Sequence, residues 1–148
     1  MTKMIQCISP VDGRVYAERP ALSLADAEAA VARARKAQSA WAARPLAERI
    51  ALVQAGVKNL NALKDVIVEE LAWQMGRPTR YGGEFGGVND RTAYMSGIAA
   101  ATLAPQIVED SATFKRQITR EALGVVAIIA PWNYPYLTTI NTLVPALI

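Results

Sequence analysis

Apolar residues recur at helical spacing through much of the first 105 residues of the chain. Side chains three or four positions apart share one face of a helix, and this spacing predicts helices over residues 24–41, 45–60 and 63–75. Ser23 precedes the first helix as a typical N-cap, and Gly76 follows the third as a typical stop. This part of the chain is therefore expected to be mainly helical.

Shorter features flank these helices. Extended runs at residues 4–8 and 14–18 enclose a Ser-Pro-Val-Asp-Gly stretch, which predicts a β-hairpin. A fourth helix is predicted over residues 88–103, with the glycine-rich residues 82–87 as a flexible lead-in. The glycine spacing there does not match that of phosphate-binding loops.

The periodicity changes after this helix. Residues 106–121 interleave β-forming residues with charged ones around a turn at Asp110 and Ser111, which predicts a β-ribbon. Neither face of this ribbon is clearly apolar, so two interpretations remain open. It is either a solvated hairpin or an arm that pairs with a second subunit.

The last stretch, residues 122–148, contains no charged residue. Residues 123–130 lack alternation, which predicts a buried central strand of a parallel sheet, and a helix is expected from Pro135 onward. The prolines and asparagines in this stretch argue against a transmembrane helix. A central strand needs neighbours on both sides, so we expect the chain to be the first part of a longer protein. The alternative is that the preceding helices cover the strand.

The composition of the chain excludes several kinds of binding and catalytic site. Among the 148 residues, 16 basic and 13 acidic side chains are scattered without a cationic block, so nucleic acid is not an expected partner. Histidine is absent and Cys7 is the one cysteine, which excludes histidine bases, intramolecular disulfides and the common zinc sites. No metal is expected. Cys7 lies in a short apolar run and is expected to be buried and inert. The single thiol and the lack of an apolar leader favour a cytoplasmic location.

The segment ITREALGVVAIIAPWNYPYL, residues 118–137, resembles the Pro-Trp-Asn region of the NAD(P)-dependent aldehyde dehydrogenase superfamily. Upstream, ISPVDGRVYAERP and LAWQMGRPTR are similar to the family's N-terminal hairpin and its Gly-Lys-Pro region. Ala122 stands where the family commonly has proline, and Arg77 where it commonly has lysine. The resemblance therefore covers the whole chain.

The resemblance implies an α/β fold that leads into the first strand and helix of a Rossmann-like cofactor-binding domain, truncated after that helix. Residues 1–105 would form the N-terminal hairpin and helical part of that domain. Residues 106–121 would form a β-ribbon of the oligomerisation type, and residues 122–148 the first strand, turn and helix of the nucleotide-binding sheet.

The same resemblance implies an activity, the oxidation of a small aldehyde to a carboxylate with NAD or NADP. A cysteine thiolate attacks the aldehyde, and Asn133 would donate a hydrogen bond to the resulting oxyanion. Four preceding residues would form the floor of the cofactor site: Ile129, Ala130, Pro131 and Trp132. Taken alone, without the surrounding match, Pro-Trp-Asn favours a turn with a packing tryptophan and an asparagine helix cap.

Substrate contacts are also implied. In a helix that opens at Pro135, three polar residues share one face, which in the family borders the substrate tunnel: Tyr134, Thr138 and Asn141. This face favours an aldehyde with a hydroxyl, amine or carboxylate over a plain alkyl chain. The alternative is that these side chains bind backbone or water within the fold.

The family's nucleophilic cysteine and its glutamate base lie downstream of Pro-Trp-Asn. The chain alone is therefore expected to be inactive, and the complete enzyme to be a homo-oligomer, either a dimer or a tetramer. The alternative function is a noncatalytic remnant that acts as an oligomerisation or interaction piece.

Overall fold

The computed structural model describes residues 3–148, so the first two residues of the predicted N-terminal part lie outside it. The described chain is a mixed α/β structure of five α-helices, one short 3₁₀ turn and two separate antiparallel β-hairpins. In chain order its elements are β1 (Met4–Ile8), β2 (Val15–Pro20), α1 (Leu24–Ala42), α2 (Leu46–Asn61), α3 (Lys64–Met75), a 3₁₀ turn (Thr79–Tyr81), α4 (Phe85–Leu103), β3 (Gln106–Asp110), β4 (Lys115–Ile118) and α5 (Pro135–Leu147).

The predicted first hairpin is confirmed, and it rests against the end of α3. β1 and β2 pair in antiparallel register. The hydroxyl of buried Ser9 donates to the carbonyl of Trp73 at 2.7 Å and accepts the N–H of Val11 at 3.2 Å. The rings of Tyr16 and Trp73 stack with centroids 6.4 Å apart. Cys7 is half-buried in β1, with its Sγ 3.8 Å from the carbonyl of Gln74.

The first three helices lie where the sequence predicts them, and their ends have the expected caps. Ser23 and Asp26 form a capping box at the start of α1. Gly76 ends α3 with a left-handed φ of 74°, which glycine adopts without strain. α4 begins at Phe85, three residues earlier than predicted, because the buried Phe85 side chain anchors its first turn.

The core is built mainly from α2, α4 and α5. Its buried cluster comprises Val53, Val88, Ala99, Ile140, Val144 and Ile148. A second cluster joins α3 to α4 through Ile67, Leu71 and Phe85. α4 and α5 approach closely at Gly87, where an added Cβ would lie 2.8 Å from Cδ1 of Leu137.

Helix α1 contributes little to this core, since none of its residues is buried. Its clearest link to the remainder is a hydrogen bond from Trp41 Nε1 to the carbonyl of Leu147, at 2.8 Å. Its predicted apolar stripe is therefore present but largely uncovered.

The second hairpin is confirmed as a ribbon. β3 and β4 pair in antiparallel register, with the turn between them closed by hydrogen bonds between Ser111 and Phe114. All side chains of β3 and β4 are exposed except that of Glu109, which is half-buried. Within residues 3–148, none of the helices combines the length and apolar character needed to cross a bilayer.

The predicted buried strand at residues 123–130 is wrong for this chain. Residues 119–134 contain neither helix nor strand. Leu123 and Ile129 are 95% and 96% exposed, because no described strand lies beside them to complete a sheet. The preceding helices cover the segment only in part: residues 124–128 border an open groove of about 520 Å³ against α1 and α5. The predicted helix from Pro135 is confirmed as α5.

Candidate functional site

The turn that carries Asn133 lies directly before α5. Asn133 is exposed, and α5 is capped by Tyr134 without a side-chain hydrogen bond, so Asn133 is not a helix cap. Trp132 is 76% exposed, so it is not a core packing residue either. In the part of the chain that the structure describes, Asn133 is held through its main-chain carbonyl, and its side-chain amide is left available.

Arg77 contacts the turn that carries Asn133. It follows the end of α3, and its Nη2 donates to the carbonyl of Asn133. Its guanidinium also lies over the ring of Tyr134, 4.8 Å from the ring centroid. A single side chain thus contacts the turn at two successive residues.

Glu84 completes the arrangement. Its Oε1 accepts from Nη1 of Arg77 at 3.0 Å, and its Oε2 accepts the N–H of Leu137 at 2.6 Å. That N–H belongs to the first turn of α5, where main-chain donors lack partners within the helix. The Glu84 side chain is 1% exposed and that of Arg77 13%, so the ion pair is largely shielded from water. The carboxylate therefore caps α5 in place of a local residue.

Tyr136 borders the same carboxylate from the first turn of α5. Burial, reinforced by the negative charges of Glu70 and Glu84, raises the pKa of the Tyr136 phenol above its ordinary value. Its ring stacks on Phe85, with centroids 6.1 Å apart.

The three predicted substrate residues lie along α5 in different environments. Tyr134 is exposed beneath the Arg77 guanidinium, and Thr138 is half-buried one turn further on. Asn141 is exposed, and its Oδ1 accepts from Nη1 of Arg91 at 3.0 Å. Arg91 reaches this face from α4. The positive charge of Arg91 thus lies beside the polar face of α5.

The predicted cofactor residues are apolar, and most of them are exposed. Ile129, Pro131 and Trp132 are exposed, and Ala130 is half-buried. Exposed apolar side chains of this kind fit an uncharged face of a nicotinamide ring. Residues 122–148 hold no Lys or Arg, so this segment offers no charged partner for a pyrophosphate.

Spacing along the chain did not identify Arg77, Glu84 or Arg91 as members of this site. Their partners are 50 to 56 positions away, at residues 133, 137 and 141. A weak indication was present: Glu84 is a charged residue set among glycines and directly before a large apolar side chain.

Comparison with known proteins assigns the chain to a family. The model of the aldehyde dehydrogenase family matches residues 1–148. Vanillin dehydrogenase of Corynebacterium glutamicum is 34% identical over 145 residues, which cover 95% of this chain and 29% of that protein. A putative NADP⁺-dependent succinate-semialdehyde dehydrogenase of Mycolicibacterium smegmatis is 32% identical, covering 92% of this chain and 27% of that protein.

Solved structures agree. The crystal structure of an NAD-dependent benzaldehyde dehydrogenase from Corynebacterium glutamicum superposes with a TM-score of 0.86 at 31% identity. The match covers 98% of this chain and 32% of the solved one. The chain thus spans about a third or less of the length of these relatives. With its motifs, its fold and its full-length match to the family model in agreement, this chain belongs to the aldehyde dehydrogenase family.

Proposed function

We propose that this chain supplies the oxyanion-binding residue, Asn133, and one wall of the nicotinamide site to an NAD(P)-dependent aldehyde dehydrogenase. The reaction is the oxidation of a small aldehyde to a carboxylate. The observation that carries the proposal is a side-chain amide left available, in a turn fixed through its main chain, within a chain matched throughout by the family model.

The amide suits the charge that the reaction develops. When a thiolate adds to an aldehyde carbon, the carbonyl oxygen becomes negative, and a preorganised N–H donor stabilises it. An asparagine amide has no proton that it loses near neutral pH, so it stays a donor throughout. The nicotinamide, when bound, supplies the acceptor for the hydride. In this proposal the wall formed by Ile129, Ala130, Pro131 and Trp132 excludes water from one side of that ring.

The other catalytic groups come from outside the Asn133 turn. Cys7 is the one cysteine of the chain, and it lies in the first hairpin, against the end of α3. The proposal therefore assigns the thiolate and the general base to parts of the enzyme other than this 148-residue chain.

The substrate proposal rests on the polar face of α5. Tyr134, Thr138 and Asn141, together with Arg91, offer hydroxyl, amide and guanidinium groups along α5. We expect an aldehyde that carries a hydroxyl, amine or carboxylate to be preferred over a plain alkyl aldehyde. A higher kcat/KM for hexanal than for such polar aldehydes would contradict this preference.

The ribbon of β3 and β4 is proposed to contact a second subunit. Its apolar side chains include Val108 and Phe114, which are 60% and 63% exposed, and covering them would bury apolar area. The proposal is accordingly a homo-oligomer, a dimer or a tetramer, in the cytoplasm, where the single thiol stays reduced. The same ribbon would serve the alternative function, a noncatalytic piece that pairs with intact relatives.

Asn133→Ala in the complete enzyme that contains this chain tests the catalytic assignment. We expect kcat to fall roughly 10²- to 10³-fold, the usual loss for one oxyanion donor. The matched control is Thr142→Ala, an exposed polar residue of α5 nine positions after Asn133, which should leave kcat unchanged. A near-normal kcat for Asn133→Ala would remove the role proposed for it.

A further inference from the structure

We propose that Arg77 and Glu84 are positioning residues that aim the amide of Asn133. This inference rests on the proposed function of Asn133. It assigns a role to two residues that do not themselves touch the reacting atoms.

The first step is that the turn is bridged on both sides. Arg77 binds the carbonyl of residue 133, and Glu84 binds the N–H of residue 137, while the two side chains pair with each other at 3.0 Å. The turn and the first turn of α5 are thus tied to a single buried ion pair. A movement of Asn133 relative to α5 would have to break one of these bonds.

The second step is that the turn has little else to hold it. Pro131 and Pro135 have no N–H to donate, and among the described residues no other side chain donates to the carbonyl of Asn133. The direction of an unbonded side chain follows from the main chain that carries it. Fixing the carbonyl of residue 133 therefore restricts the directions that its amide can take.

The third step is that Arg77 serves both partners at once. Its planar fork presents Nη1 to Glu84 and Nη2 to the Asn133 carbonyl at the same time. Arg77→Met keeps most of the length of the side chain but leaves no donor for either partner. Arg77→Met is thus expected to loosen the turn.

A positioning role predicts a specific kinetic pattern in the complete enzyme. Because a misplacement near 1 Å costs up to about 100-fold, we expect Arg77→Met to lower kcat by about 10-fold or more. KM should change less than about two-fold, since uniform binding of the substrate is unaffected. The matched control is Arg80→Met, since Arg80 lies three residues away over the Tyr81 ring and makes no described contact with the turn.

Combining variants separates positioning from general structural damage. If Arg77 acts through Asn133, then Arg77→Met should cause no further loss of kcat once Asn133→Ala is present. Multiplying losses in the double variant, or an unchanged kcat in Arg77→Met alone, would overturn the inference. If Asn133→Ala itself leaves kcat intact, the proposed function fails first, and the inference falls with it.

A second variant guards against loss of folding. Glu84→Gln keeps the size of the side chain and an oxygen that accepts the Leu137 N–H, but it removes the charge that holds Arg77. We expect the same fall in kcat and the same absence of further loss in the Asn133→Ala background. Melting temperatures of all variants, measured by circular dichroism, would identify any that do not fold. A folded Glu84→Gln enzyme with normal kcat would also contradict the inference.

Discussion

Tyr136 illustrates how a side chain beside the site responds to its surroundings. Its raised pKa means that the folded chain holds the phenol proton more tightly than the unfolded chain does. The resulting stabilisation is complete below the unfolded pKa, near 10, and is lost as the pH rises through the higher folded pKa.

Tyr136→Phe has no phenol proton to lose, so it should escape this alkaline loss. We expect the free energy of unfolding of the wild-type chain to fall more steeply than that of Tyr136→Phe above about pH 10. Urea denaturation followed by circular dichroism at several pH values measures the difference. Tyr94→Phe, at an exposed tyrosine of α4, is the control and should follow the wild type. Parallel curves for wild type and Tyr136→Phe would contradict the prediction.

The sequence correctly predicted the roles of single residues where those roles depend only on neighbouring positions in the chain. The Ser23 cap and the Gly76 stop follow from rules about adjacent residues, and the structure contains both. Asn133 was identified through a resemblance, because the Pro-Trp-Asn run is distinctive. Arg77 and Glu84 could not be found in this way, since their bonds to residues 133 and 137 depend on how α3, α4 and α5 pack.

At the scale of elements, helices depend on neighbouring residues, whereas strands depend on partners that can be distant in the chain. A helix forms its own hydrogen bonds, so the apolar stripe of α2 was sufficient to predict it. A strand needs a partner that can lie anywhere in the sequence. The hairpins have theirs within a few residues and formed as predicted. Residues 123–130 have the composition of a central strand but no described neighbour, so they remain exposed.

Two glycines of α4 should respond differently to alanine. Gly97 lies in the helix interior with open space around its missing Cβ, so Gly97→Ala should stabilise the chain by about 0.5–1 kcal/mol. Gly87 faces Leu137 at the contact with α5, where a new Cβ would lie 2.8 Å from Cδ1. Leu137 must therefore move, and Gly87→Ala should gain less than Gly97→Ala or destabilise the chain. Thermal unfolding of both variants tests this order, and a larger gain at residue 87 would contradict it.

At the scale of the whole molecule, the chain combines a buried core with an exposed apolar segment. The core joins α2, α4 and α5, while Leu123 and Ile129 project almost fully into solvent. Relatives of the same fold are about three times longer than the matched segment. In the proposed enzyme, the surface at residues 123–132 is where further strands and the cofactor would be added. The core would then serve to hold the Asn133 turn at the edge of that surface.

In the proposed enzyme, this chain supplies Asn133 and other parts supply the thiolate and the general base. The purified 148-residue chain is therefore expected not to oxidise aldehydes. The proposed reaction needs a thiolate beside Asn133, and the one thiol of the chain, Cys7, lies in the first hairpin, at 3.8 Å from the carbonyl of Gln74. We expect no NAD(P)H to form with benzaldehyde or succinate semialdehyde, measured by absorbance at saturating NAD⁺ and NADP⁺. An intact aldehyde dehydrogenase is the positive control. Cys7→Ser separates a genuine activity from contamination: NAD(P)H production that disappears in this variant would show that Cys7 is a nucleophile and would overturn the assignment of the thiolate to another part of the enzyme.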